Sequence, residues 1–163
     1  MRRPYHMSWK NYNKIEETYK DYRVLLRRWI EVKNCKETSH EFCVRNRNPL
    51  FDITKCKFFN SGLGSKSGLL RSEKVMDHYI QRTKAVRIIF NELENNPNMG
   101  VEKFTYLLKK YCSTVALTEE EHKIVTKYCK SNPEVLNYDA YDKCGIKIEG
   151  LKKFFESDQE IMW

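Results

Sequence analysis

Turn-forming residues are scarce in this chain, with 6 glycines and 4 prolines among 163 residues. That scarcity favours helices over a turn-rich β fold. No apolar run approaches the roughly 18 residues that a spanning helix needs, so no membrane partner is expected. The opening MRRPYHMSWKNYNK has no apolar stretch behind its arginines, so no secretory signal is expected. Tight C-x-x-C pairs are missing among Cys35, Cys43, Cys56, Cys112, Cys129 and Cys144. Cys35, His40, Cys43 and Cys56 are the group a zinc ion would draw on, but without such pairs no structural zinc is expected. The six cysteines read as reduced thiols of an intracellular, cytoplasmic protein. Gly62, Gly64 and Gly68 in SGLGSKSGLL lack the order of a Walker loop and read as a flexible connection.

What the chain has in excess is positive charge, +8 overall. Residues 1–81 hold 17 Lys/Arg against 9 Asp/Glu, and residues 82–163 hold 13 of each. The whole excess therefore lies in the first half. A basic half is either a solvated face or a surface for a polyanion, where lysine and arginine displace counterions from phosphates.

Mean composition is that of a globular chain, 40% hydrophobic and 32% charged, and long enough for one domain with a proper core. Tyr12, Ile15, Tyr19, Tyr22, Leu26 and Trp29 step by threes and fours, which predicts an amphipathic helix over 9–33. Residues 34–71 carry no sustained helical period. Phe42–Val44 and Ile53–Phe59 suggest short strands with a turn at Asn46–Pro49, so this stretch is expected to be basic, irregular and partly β. From Ser72, the positions Val75, Tyr79, Val86, Ile89, Phe90 and Leu93 predict a helix to about Asn95, stopped before Pro97. A further helix is expected at 101–112. Thr114–Leu117 is short and β-branched and does not continue it. Thr118-Glu119-Glu120-Glu121 has the form of a capping box opening the next helix. A short helix from Pro133 to Lys143 should close at Gly145, followed by an extended piece at Ile146–Ile148 and a last helix. The expected fold is thus mainly α with a small irregular/β segment in a single domain. Its parts are a long amphipathic helix (9–33), the basic segment (34–71), core helices (72–130) and a C-terminal unit (131–163). Tyr138–Phe155, with Asp139, Asp142, Gly145, Ile146 and Glu149, has the look of a calcium loop, but its register fails.

Three short stretches carry chemistry: Asp77-His78, the pattern around Phe104–Cys112, and LTEEEH ending at His122, followed by YDAYDKCGIKI at 138–148. Together, over about residues 60–150, they resemble small phage-type proteins of the HNH (His-Me finger) nuclease class. The resemblance implies a ββα-metal-like core, metal-assisted phosphodiester hydrolysis and a viral source, which would put the protein in a host cytoplasm. It makes His78 the general base, with Asp77 and His122 as ligands of a divalent metal, Mg²⁺ or Mn²⁺. Glu121 is then either a further ligand or a cap.

Nucleic acid, DNA in the first place, is the partner this predicts. Arg45, Arg47, Lys55, Lys57, Lys66 and Arg71 are the candidate phosphate contacts, interleaved with Phe51, Phe58 and Phe59. The alternative is a non-enzymatic helical module that binds DNA or a protein, such as a viral regulatory or host-interaction protein.

Overall fold

The computed structural model describes residues 3–4 and 7–156, so the end of the predicted C-terminal unit lies outside the described residues. As expected, the protein is mainly helical with a small β component. Chain order is α1 (Trp9–Val32), α2 (Lys36–Ile53), a 3-10 turn (Lys57–Phe59), β1 (Asn60–Gly64), α3 (Lys66–Leu70), β2 (Val75–His78), α4 (Arg82–Asn95), α5 (Val101–Cys112), β3 (Thr114–Leu117), α6 (Glu119–Ser131), α7 (Asn137–Lys143) and α8 (Leu151–Glu156). Two compact units share these elements. Among the described residues, one takes the chain up to Phe59 together with Arg82–Cys112; the other takes Asn60–Gln81 and residues 113–156.

The first unit is helical. Ser8 caps α1 by accepting the Asn11 N–H at 3.2 Å. Along α1, Tyr12, Ile15, Tyr22 and Trp29 are buried, as their spacing predicts, while Tyr19 and Leu26 are half-buried. The Tyr22 ring stacks on Phe90 of α4 at 4.4 Å, and its hydroxyl donates to the Asn46 carbonyl at 2.7 Å. The segment expected to be irregular or β is corrected here, because residues 36–53 form the single helix α2. Its inward face runs Ser39, Phe42, Cys43, Asn46, Leu50 and Ile53, a helical spacing that polar Ser39 and Asn46 disguise. Pro49, read as part of a turn, sits on the exposed side of the helix.

The second unit is built on the sheet, with strand order β1-β3-β2. β3 is central, parallel to β1 and antiparallel to β2, with Asp77 opposite Val115 and His78 opposite Thr114. The helix expected from Ser72 is therefore also corrected. Residues 75–78 are a strand, and α4 starts only at Arg82. Pairing with β3 overrides the local helical spacing, as tertiary context does for short segments. All four residues of β3 are buried.

The glycine-rich stretch is ordered rather than a flexible connection. A Cβ on Gly64 or Gly68 would lie 2.4 or 2.5 Å from the Ala116 carbonyl oxygen, so only glycine lets β1 and α3 approach β3 this closely. On the other side of the sheet's centre, Tyr79, Val115, Leu117, Val125, Ala140, Tyr141, Ile146 and Leu151 form one apolar core. β3 runs directly into α6 through the predicted capping box. Thr118 Oγ1 accepts the Glu121 N–H at 3.1 Å, and Glu121 Oε1 accepts the Thr118 N–H at 2.9 Å. Thr118→Ala is expected to destabilise the protein by about 0.5–2 kcal/mol in urea unfolding. An unchanged midpoint would show that the hydroxyl does not hold the helix start. α7 begins at Asn137, later than expected, and Gly145 follows it with the left-handed φ of 72°. Among the described residues, no helix is long and apolar enough to cross a membrane.

Candidate metal centre and nucleic-acid interface

The antiparallel β2–β3 pair, followed at once by α6, brings Asp77 and His122 together. His122 sits in the first turn and a half of α6, and its Nδ1 lies 3.3 Å from Asp77 Oδ1. That nitrogen is buried and makes no hydrogen bond of good geometry. Asp77 is itself buried, on the same side of the sheet as Tyr79 and the core residue Val115. Its other oxygen, Oδ2, accepts the Tyr141 hydroxyl at 2.5 Å and the Asn137 amide at 3.1 Å, both from α7.

Burial is the main influence on Asp77 and pushes its carboxyl above the usual aspartate value. The Tyr141 hydroxyl, the His122 imidazole and the Asn137 amide pull in the opposite direction. Tyr141 is driven far above the ordinary phenol value, first by burial and then by the neighbouring Asp77 charge. It therefore stays a donor at any physiological pH.

His78 is the next residue on the strand, and successive strand side chains leave on opposite sides. It therefore does not share the pocket of Tyr141 and Asn137, although its backbone carbonyl accepts from Asn137 Nδ2 at 2.9 Å. Glu121, left open in the sequence as ligand or cap, is a cap. Besides the Thr118 N–H, its Oε1 accepts the Ser65 hydroxyl at 2.5 Å. Tyr141 and Asn137 are the partners of Asp77 that the sequence did not single out. Nothing in spacing or motif marks them beyond their place in the 138–148 tail and just before it.

Asp77 and His122 are donors of the kinds that divalent ions take, but both donor atoms are buried. Among the described residues, no three His, Cys, Asp or Glu side chains gather as a metal-holding group. Magnesium-type sites characteristically use one or two carboxylates and complete the shell with water and substrate phosphate. Two adjacent donors on an octahedral ion with bonds of about 2.1 Å stand about 3.0 Å apart, close to the Asp77–His122 separation.

The predicted phosphate contacts fall in both units. In the helical unit, Arg45 is exposed on α2 and Arg47 is half-buried, 3.4 Å from Thr83 Oγ1. Lys55 is exposed and pairs with Asp52 at 3.2 Å, and Lys57 is exposed in the 3-10 turn. In the sheet unit, Lys66 opens α3, and Arg71 just beyond α3 lies 3.3 Å from Glu120. Phe51 and Phe59 are buried, so of the three expected base-stacking rings only Phe58 is partly accessible. Lys109 Nζ sits 4.7 Å above the Phe58 ring.

Charge separates by unit rather than by halves of the chain. Residues 1–59 and 82–112 carry 20 Lys/Arg against 10 Asp/Glu, while residues 60–81 and 113–156 carry 10 of each. No protein-family model matches the chain, and no curated protein or solved structure matches it.

Proposed function

We propose that this chain is a cytoplasmic nucleic-acid-binding protein, with DNA as the favoured ligand. Its β2–β3–α6 unit would be an HNH-like centre for divalent-cation-dependent phosphodiester hydrolysis. The observation that carries this reading is the 3.3 Å approach of His122 to Asp77, made by an antiparallel strand pair running into a helix. Asp77 Oδ1 and His122 Nδ1 would hold Mg²⁺ or Mn²⁺. When bound, such a cation stabilises negative charge on the phosphate and leaving oxygen. The resemblance to the HNH class gives His78 the proton-accepting role, although its side chain leaves β2 on the face away from Asp77. The six free thiols agree with a reducing compartment.

The helical unit, with its excess of ten positive charges, would supply the phosphate contacts. Binding should be weakly sequence-selective, because phosphate contacts carry position rather than sequence. Affinity for duplex DNA should fall by about 0.9 log units per log unit of salt for each phosphate neutralised. Lys55→Gln with Lys57→Gln should flatten that slope by about 1.8, measured by fluorescence anisotropy across a salt series. Affinity indifferent to salt would overturn the nucleic-acid reading.

A second reading has its own support. Asp77 Oδ2 is already satisfied by two protein donors, as in a purely structural buried carboxylate. On that reading the protein binds without cutting. Nicking of supercoiled plasmid by the wild type in Mn²⁺ or Mg²⁺, abolished by EDTA, decides between the two. Salt-dependent binding with no nicking in either metal would leave the non-enzymatic module.

A further inference from the structure

Resting on the reading of the helical unit as the part that binds nucleic acid, we infer that the outward face of α5 is a platform for single-stranded DNA. Tyr106 stacks on an unpaired base, and Lys103 and Lys110 take the neighbouring phosphates.

The core of this unit does not need Tyr106. α5 turns Phe104, Thr105, Leu107, Leu108 and Cys112 inward. Phe104 supplies the ring on that side, 5.5 Å from Tyr19 and 5.8 Å from Tyr22. Lys103, Tyr106 and Lys110 follow one another at steps of three and four, so they share the opposite face of the helix. Lys103 is exposed there, and Tyr106 and Lys110 are half-buried. The Lys103 ammonium lies 4.6 Å from the centre of the Tyr106 ring, and that of Lys110 lies 5.6 Å from the centre of the half-buried Tyr111 ring. Each phenol of α5 therefore carries a cation of its own. Lys109 differs: it donates to the Phe58 carbonyl and lies over the Phe58 ring, so it serves the join between α5 and the 3-10 turn. Glu102 is the one acidic residue among the three lysines of this helix, which leaves the face positive.

That pairing of ring and cation suits a single strand more than a duplex. In a duplex the faces of each base are covered by its neighbours, and a helix meets only phosphates and base edges. An unpaired base has a free face to lay on a phenol ring, whatever its sequence. The ammonium over the ring sits on a flexible four-carbon stem and can move to the phosphate beside that base. A cation–π contact at an exposed site is weak, so giving it up costs little.

The test measures the full chain by fluorescence anisotropy against labelled oligo(dT) and a labelled duplex of the same length. Tyr106→Ala should weaken oligo(dT) binding by about tenfold and leave duplex binding unchanged. Tyr106→Phe keeps the ring and should bind oligo(dT) like the wild type. Lys103→Gln with Lys110→Gln should weaken oligo(dT) binding and flatten its salt slope by about 1.4. Equal losses on the two ligands, or no loss on oligo(dT), in a Tyr106→Ala variant that keeps the wild-type circular dichroism overturns the proposal. If Tyr106→Ala fails to fold, Tyr106→Leu, which keeps apolar bulk without a π face, decides it by the same comparison. An unchanged salt slope in the double lysine variant overturns the phosphate contacts. A wild type that binds the duplex but not oligo(dT) overturns the platform, whereas one that binds neither overturns the nucleic-acid reading itself.

Discussion

His78→Ala is expected to lower Mn²⁺-dependent plasmid nicking by about 10²–10⁴-fold while leaving Mn²⁺ binding unchanged. The separation follows from the strand. Asp77 faces Tyr141, Asn137 and His122, and His78 leaves β2 on the other side. His78 meets Asn137 of that cluster through its backbone carbonyl, which alanine keeps. Asp77→Asn should behave differently and lose both cation uptake and nicking, because it removes the negative charge that the cation needs. Initial nicking rates set beside calorimetric Mn²⁺ titrations distinguish the two variants. Nicking by His78→Ala at the wild-type rate would remove His78 from the reaction and leave the base unassigned. Loss of Mn²⁺ binding in His78→Ala would mean that His78 belongs to the cation site rather than beside it.

How much of this was legible beforehand varies with how local the determining contacts are. α1, α5 and α6 were predicted to within a residue or two, because their apolar stripes and caps lie within the segment itself. Thr118 and Glu121 signal a helix start wherever they occur together. α2 was not legible, because its inward face includes buried Ser39 and half-buried Asn46 and its chain includes Pro49. Asn46 is at home on that face because its side chain donates to the Phe42 carbonyl at 2.7 Å and its own carbonyl accepts from Tyr22. Those partners cannot be read from spacing. β2 was hidden for a related reason: four residues become a strand only because β3, far away in the chain, offers its edge.

The candidate site divides along the same line. Asp77 and His122 stood out through short motifs. Their meeting depends on a strand register, and the donors that hold Asp77 come from α7, outside either motif. The excess charge was visible as a total, but its assignment to one unit required knowing that residues 82–112 fold with residues 1–59. A count by halves of the chain therefore groups Lys66 and Arg71 with residues of the helical unit, although they belong to the sheet unit.

Trp29→Ala should remove about 3–5 kcal/mol of stability from the helical unit, the cost of emptying a large, fully buried aromatic site. Trp29 is 1% exposed. Its ring lies 5.6 Å from Phe42 of α2 and 5.9 Å from Phe90 of α4, so a single side chain joins three helices. The Arg87 guanidinium sits 5.3 Å over the same ring and donates to Ser39 Oγ at 2.9 Å. Truncation therefore opens a cavity and also removes the surface on which that arginine rests. The indole N–H bond to Asn91 Oδ1 at 3.2 Å adds little, because Asn91 is exposed and water can replace it. At about 2–4 °C per kcal/mol for a chain of this size, the melting temperature should drop by about 6–20 °C. Circular dichroism at the helical minimum reads this directly. Trp29→Phe should recover a large part of the loss, since a ring still fills the space between Phe42 and Phe90. A loss below about 1 kcal/mol for the alanine variant would mean that the ring is not packed in solution. The stripe on α1 would then be a surface for a partner helix rather than the centre of this unit's core.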